Sequence, residues 1–226
     1  MLASRPSLHI DMIADPICPW CYIGFRSLDW ALMALSFEVS PQVQYRPYRL
    51  DPETPKGGRD RAATLASKFP DTEARQRMDE ALRQAMNDVG VSFDPETPKL
   101  IPDTTDAHRL LRWAHDENLQ HDVLAGLFEA YWQHGEDLSR REVLVQVAEA
   151  AGMNTDNLAD RLATAEDVSA VRDEAAELRG GGVDSVPTFI VNEQTGFAGA
   201  LPKAQMLDAL RQLAQETSAM DEEDED

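Results

Sequence analysis

Cysteine is scarce in this chain. Its 226 residues carry two, Cys18 and Cys21, and no others. That excludes a disulfide-stapled scaffold, which needs several pairs to compensate for a small core. It also argues against structural zinc, which takes about four ligands, typically from a second Cys pair or closely spaced histidines. The histidines here (His9, His108, His115, His121 and His134) show no such spacing, so no metal is expected. Long apolar runs are missing too; none approaches the roughly 20 residues that cross a bilayer. Positive charge is equally short, with 21 Lys and Arg against 41 Asp and Glu and a formal net charge of −20. A chain this acidic repels phosphate backbones and anionic lipid, so neither nucleic acid nor a membrane is expected as a partner. Met1 to Ser7 has no apolar core or small-residue cleavage site of a secretory signal. With so few cysteines, the expected compartment is the cytoplasm, where paired thiols are more often catalytic than structural.

What is present is Cys18-Pro19-Trp20-Cys21. Leu8, Ile10 and Met12 alternate ahead of it as a half-buried strand does. A helix-like run opens at Pro19, a position that tolerates proline because its missing N–H would have had no intrahelical partner. A cysteine at a helix start meets unpaired N–H groups and the positive end of the dipole, which favour its thiolate. Cys21, one turn on, can close a small reversible disulfide. This placement points to a dithiol redox centre.

The rest of the chain reads as alternating elements. Val43 and Tyr45 suggest a second strand, ended near Pro47 and followed by a turn-rich stretch from Asp51 to Gly58. Apolar stripes then mark successive helices: Met78, Leu82, Met86 and Val89; Ala107, Leu110, Leu111 and Ala114; Leu124, Leu127, Phe128 and Tyr131. Ser139-x-x-Glu142 carries a capping-box signal, and Thr164-x-x-Asp167 opens another candidate helix that Gly180 would stop. Strand character returns at Thr188 to Val191, with Phe197 on a partner strand after a Thr195-Gly196 turn. Pro202 fits the start of a last helix holding Met206 and Leu210. Asp-Pro-Glu-Thr-Pro-Lys occurs at Asp51 and again at Asp94 in unlike surroundings, which is recurrent turn chemistry and not a repeat architecture. The sum is an α/β core interrupted by helices, with boundaries expected at 1–60 plus 165–217 for the core and 61–164 for the helical insertion. Residues 218–226, acidic and without apolar compensation, are expected to form a disordered tail.

Four segments carry a resemblance: Asp15 to Gly24 around the two cysteines, Pro47 to Pro52, Asp106 to Leu110, and Gly182 to Phe189. In this order and spacing the chain resembles the DsbA-like thioredoxin superfamily, and within it the FrnE-like branch. The resemblance implies a thioredoxin-like core with an inserted all-helical domain, and a cis bond before Pro187. It implies a thiol–disulfide oxidoreductase, or disulfide isomerase, with Cys18 as nucleophile and Cys21 as resolving thiol. Val186, Pro187, Trp20 and His108 are the expected substrate-side residues. His108 is also open to a buried or helix-capping role. The Cys18–Cys21 disulfide itself would be the redox group, with no other cofactor and with glutathione open as a co-substrate. Partners would be disulfide-containing proteins or small thiols, with a homodimer left open. The Pro-Trp pair between the cysteines lacks the histidine of the strongest oxidants, so a less oxidising centre is expected. A glutathione-dependent isomerase or transferase resembling the 2-hydroxychromene-2-carboxylate isomerases or kappa-class glutathione transferases is the alternative. Those generally carry serine where this chain has a complete pair.

Overall fold

The computed structural model describes residues 5–223. In chain order its elements are β1 (Ser7–Ala14), α1 (Pro19–Ala34), β2 (Ser40–Pro47), β3 (Arg59–Asp60), α2 (Arg61–Lys68), α3 (Thr72–Asp88) and β4 (Leu100–Ile101). Then come α4 (Thr105–Asp116), α5 (Gln120–Trp132), α6 (Arg141–Ala150), α7 (Leu158–Ala163), α8 (Val168–Gly180), β5 (Thr188–Val191), β6 (Thr195–Ala198) and α9 (Lys203–Glu223).

One four-stranded sheet, in the order β2-β1-β5-β6, carries the core. β1 runs parallel to β2, with Ser7 opposite Ser40 and Ala14 opposite Pro47. On its other side it pairs antiparallel with β5, placing Ile13 opposite Thr188. This register decides where the chemistry can be. It brings the segment just before β5, which contains Val186 and Pro187, to the end of β1 from which Cys18 departs. The expected thioredoxin-like core is therefore present, with α1 crossing between the parallel strands and packing on α9. Leu28 and Ala31 of α1, Leu35 just after it, and Met206 and Leu210 of α9 are all buried, while Phe25 turns the other way onto Tyr45 and Phe128.

Between β2 and α8 the chain builds the helical insertion. Leu110, Leu127, Phe128 and Leu144 from α4, α5 and α6 are fully buried, so the stripes read from sequence are helix-packing faces. The short antiparallel pairing of β3 with β4 closes the insertion's first part, the excursion through α2 and α3. Two polar residues join the layers. Gln120 accepts from the Tyr45 N–H and donates to the carbonyls of Tyr45 and Leu111, tying the outer edge of β2 to the helices. Arg109, 1% exposed, donates to the carbonyls of Arg161, Leu162, Thr164 and Glu166 and to Asp106, fixing the loop from α7 to α8.

Several local expectations give way. Ser139 does not cap α6; its hydroxyl donates to Asp137, and the helix begins only at Arg141. Thr164 closes α7, and α8 starts at Val168 behind an Asp167 held at φ 56°. The turn before β6 is made by Asn192 and Glu193, both at positive φ, so Thr195 and Gly196 already lie in the strand. Helix α9 continues to Glu223 through most of the segment expected as a disordered tail; 224–226 lie outside the described residues. The duplicated hexapeptide does repeat its turn, since Thr54 N–H donates to Asp51 and Thr97 N–H to Asp94. No described helix is long and apolar enough to cross a membrane.

Candidate active site

Cys18 is the N-cap residue of α1, in an extended conformation, with Pro19 beginning the helix. Its N–H donates to the Asp15 carbonyl at 2.9 Å, and its own carbonyl accepts the first helical bond from Tyr22. The loop from β1 therefore turns tightly into α1 and delivers Cys18 to the helix end. Both cysteines are free thiols. Cys18 is 4% exposed and Cys21 not at all, so Cys18 is the sulfur nearer the surface. Burial, followed by the neighbouring Cys18 sulfur, pushes the Cys21 thiol well above its ordinary range, and the Asp15 carboxylate adds to the effect.

The proline loop faces this pair. The Val186–Pro187 bond is cis, as is Thr97–Pro98, the two cis bonds among the described residues. Cys18 Sγ lies 3.7 Å from the Val186 carbonyl oxygen, to which it donates. Trp20, 38% exposed, stands at the rim beside Cys18, and Leu50, also exposed, comes from the segment bonded to Asp15.

Beneath the cysteines lies a residue that pattern reading did not single out for chemistry. Asp15 is completely buried. Its carboxylate accepts from the N–H groups of Leu50 at 2.8 Å and Ile17 at 3.3 Å. Burial outweighs those bonds, a Thr104 hydrogen bond and nearby Arg49, and pushes the carboxyl up to about 7. An acid of that strength next to a thiol with a raised pKa is suited to exchange a proton with it near neutral pH.

Expected beside the substrate, His108 is instead 3% exposed and packed inside. Its Nε2 is 2.9 Å from the Tyr48 carbonyl and 3.9 Å from Asp15 Oδ1. The bond to a carbonyl requires Nε2 to carry the hydrogen. Burial, aided by Arg49, holds the imidazole down to about 4, so it is neutral at pH 7. It belongs to the support of the site and does not reach the substrate surface. Trp132 of α5 supports it too, its indole N–H donating to the Pro16 carbonyl. Asp15 stands in the segment that carries the resemblance, yet its residue type alone reads as loop; only the packing of α4 and α5 shows that it is enclosed. Among the described residues, no cluster of three or more His, Cys, Asp or Glu has the geometry to hold a metal ion.

Comparison with known proteins agrees with this layout. Residues 9–213 match the DSBA-like thioredoxin domain model, so the chain belongs to that family. It is 25% identical over 201 residues to the uncharacterized protein YwbO of Bacillus subtilis (strain 168), covering 87% of this chain and 92% of that one. A probable DsbA oxidoreductase from Streptomyces coelicolor superposes with a TM-score of 0.82 at 25% identity, over 92% of this chain and 90% of its own. Two more distant structures share the fold. The cytosolic disulfide reductase DsbM of Pseudomonas aeruginosa, solved with GSH, gives 0.63 at 17% identity over 91% of this chain and 98% of its own. A 2-hydroxychromene-2-carboxylate isomerase gives 0.67 at 12% identity over 94% and 98%.

Proposed function

We propose that this DSBA-like protein is a thiol–disulfide oxidoreductase, with isomerase action included, that works through the Cys18–Cys21 couple. The observation that carries the reading is the stacking of two free thiols at one helix end, Cys18 against the Val186 carbonyl and Cys21 buried behind it. In the reducing direction Cys18 thiolate attacks one sulfur of a substrate disulfide and the other leaves as a thiolate. Cys21 then attacks Cys18 Sγ and passes its proton to Asp15. The second substrate thiolate leaves, and the protein is left with a Cys18–Cys21 disulfide. Two electrons have moved from dithiol to substrate, and the reverse order oxidises a dithiol.

The two thiols carry both electrons, so no further prosthetic group is required. The substrate is a protein or small-molecule disulfide lying along Val186–Pro187 under Trp20, with glutathione fitting as a small-thiol co-substrate. The working compartment is the reducing cytoplasm, which would keep this couple supplied with electrons. A glutathione-dependent isomerase would leave Cys21 without a role, and the buried Asp15 carboxyl beside Cys21 favours exchange.

The test is reduction of insulin with a dithiol donor, alongside a redox titration of the couple. Cys18→Ser should have no turnover, and Cys21→Ser should accumulate a mixed disulfide. Full turnover by Cys18→Ser would reject the assignment.

A further inference from the structure

A cavity of about 400 Å³ opens between α4, the start of α6, the α7–α8 junction and the loop after β2. Cys18, Trp20, Val186 and Pro187 are not among its lining residues, so it is separate from the dithiol. The chain has a net charge of −20, yet this wall is basic. Lys56, Arg109, Arg141 and Arg172 line it, against the carboxylates of Asp103 and Asp106. Both acids are already engaged. Asp106 accepts from Arg109 at 2.7 Å. Asp103 accepts from the N–H and hydroxyl of Thr105 and from Arg49, and Arg172 stands off at 3.8 Å. The remaining donors of Arg109 go to carbonyls, so it gives the wall charge but no free N–H.

Lys56 and Arg141 are exposed and, among the described residues, have no carboxylate partner; Glu142 pairs with Arg140 instead. Lys56, Arg141 and Arg172 come from three separate segments and border one space. Like charges so placed repel one another, and an anion between them relieves the repulsion. The backbone adds to this field. Thr105, Arg141 and Val168, the first residues of α4, α6 and α8, all line the cavity, and no N-cap side chain bonds into any of these helices. Helix starts favour negative charge.

We infer that this cavity binds a small organic phosphate. A phosphoryl group brings about two negative charges and three acceptor oxygens, which suits three cations approaching from different sides. A carboxylate has one charge and two oxygens and would engage fewer of them. The space is larger than a phosphoryl group needs, and Leu162, Ala163 and Val168 give it an apolar side for the organic part. The site is independent of the exchange reading, and no step of that chemistry passes through it.

Calorimetric titration with phenyl phosphate, at fixed ionic strength with chloride as background anion, tests this. Binding should saturate at one site per chain and be tighter than that of inorganic phosphate. The triple variant Lys56→Gln, Arg141→Gln, Arg172→Gln should bind tenfold or more weakly. A control losing the same charge outside the cavity, Lys68→Gln, Arg77→Gln, Lys203→Gln, should bind as wild type. Equal weakening in both variants would reveal general attraction and overturn the site, as would binding that does not saturate. Benzoate binding as tightly as phenyl phosphate would overturn phosphate as the ligand class, and inorganic phosphate doing so would overturn the organic part. A check on wild-type protein needs no variant to fold: phenyl phosphate should shift the amide resonances of Thr105, Arg141 and Val168. Shifts centred on Cys18 and Trp20 would overturn the assignment.

Discussion

Gly24 on α1 sits directly against the ring of Pro187: a Cβ added at Gly24 would come within 2.8 Å of Pro187 Cγ and 3.3 Å of Phe189 Cζ. The first helix can therefore approach the proline loop only because this position has no side chain. Gly24→Ala should push Pro187 away from Cys18, lowering turnover at least as sharply as stability. Overpacking of this kind costs about 1–3 kcal/mol. Denaturant unfolding and insulin reduction on the same preparation check both, and unchanged turnover would show that the loop does not depend on this contact.

Asp15 gives a pH signature. Its carboxyl titrates near 7 in the folded protein against 3.8 ordinarily. Between those values the folded state binds more protons than the unfolded one, so stability falls as pH rises from about 4 to 7 and the penalty is complete above it. At about 1.4 kcal/mol per pKa unit the full effect is about 4 kcal/mol. Asp15→Asn should flatten this slope in unfolding experiments across pH. It should also slow the resolving step while leaving attack by Cys18 intact.

His108 has the opposite sign. Held near 4 against 6.5 ordinarily, it favours the folded state when neutral. Its contribution is fully present above about pH 6.5 and is lost as pH falls toward 4. His108→Gln should be less sensitive to acid than wild type over that window, measured by thermal unfolding at fixed ionic strength.

Arg109 should be a stability residue and not a redox one. Truncation to Ala would take its donors from the carbonyls of Leu162, Thr164 and Glu166, while that of Arg161 keeps Thr164 as a donor. The expected cost is about 3 kcal/mol or more, because unsatisfied buried acceptors keep their desolvation penalty. Titration of the Cys18–Cys21 couple in the folded variant should give the wild-type potential; a shifted value would tie this loop to the chemistry.

The strands, the CxxC helix and the major helical stripes were legible because apolar spacing reports burial directly. β1, β2, β5 and β6 fall where Leu8, Val43, Thr188 and Phe197 announced them. The pairing of β3 with β4 was not, because two-residue strands leave no alternation to read. The Ser139 capping box failed since Asp137 competes for the hydroxyl only two residues away. At the candidate site, Cys18, Cys21, Trp20, Val186 and Pro187 were named from local motifs, and the structure places them together at one end of the sheet. Asp15 and Trp132 were not assigned, and His108 was placed at the substrate. Their burial depends on contacts between residues far apart in the chain, such as Trp132 with Pro16 and His108 with Tyr48, which no local pattern reports.

The anchoring of β2 by Gln120 also bears on self-association. A sheet of this kind has two free margins where another chain could add a strand. Along β2 that margin is occupied, since Gln120 takes both backbone groups of Tyr45 and helices α4, α5 and α8 pack against the strand. The remaining margin is β6, four residues long with a glycine at its second position. So short a ladder is a poor template for templated β growth, and the acidity of the chain adds mutual repulsion. The sheet therefore offers little purchase for strand addition by another chain.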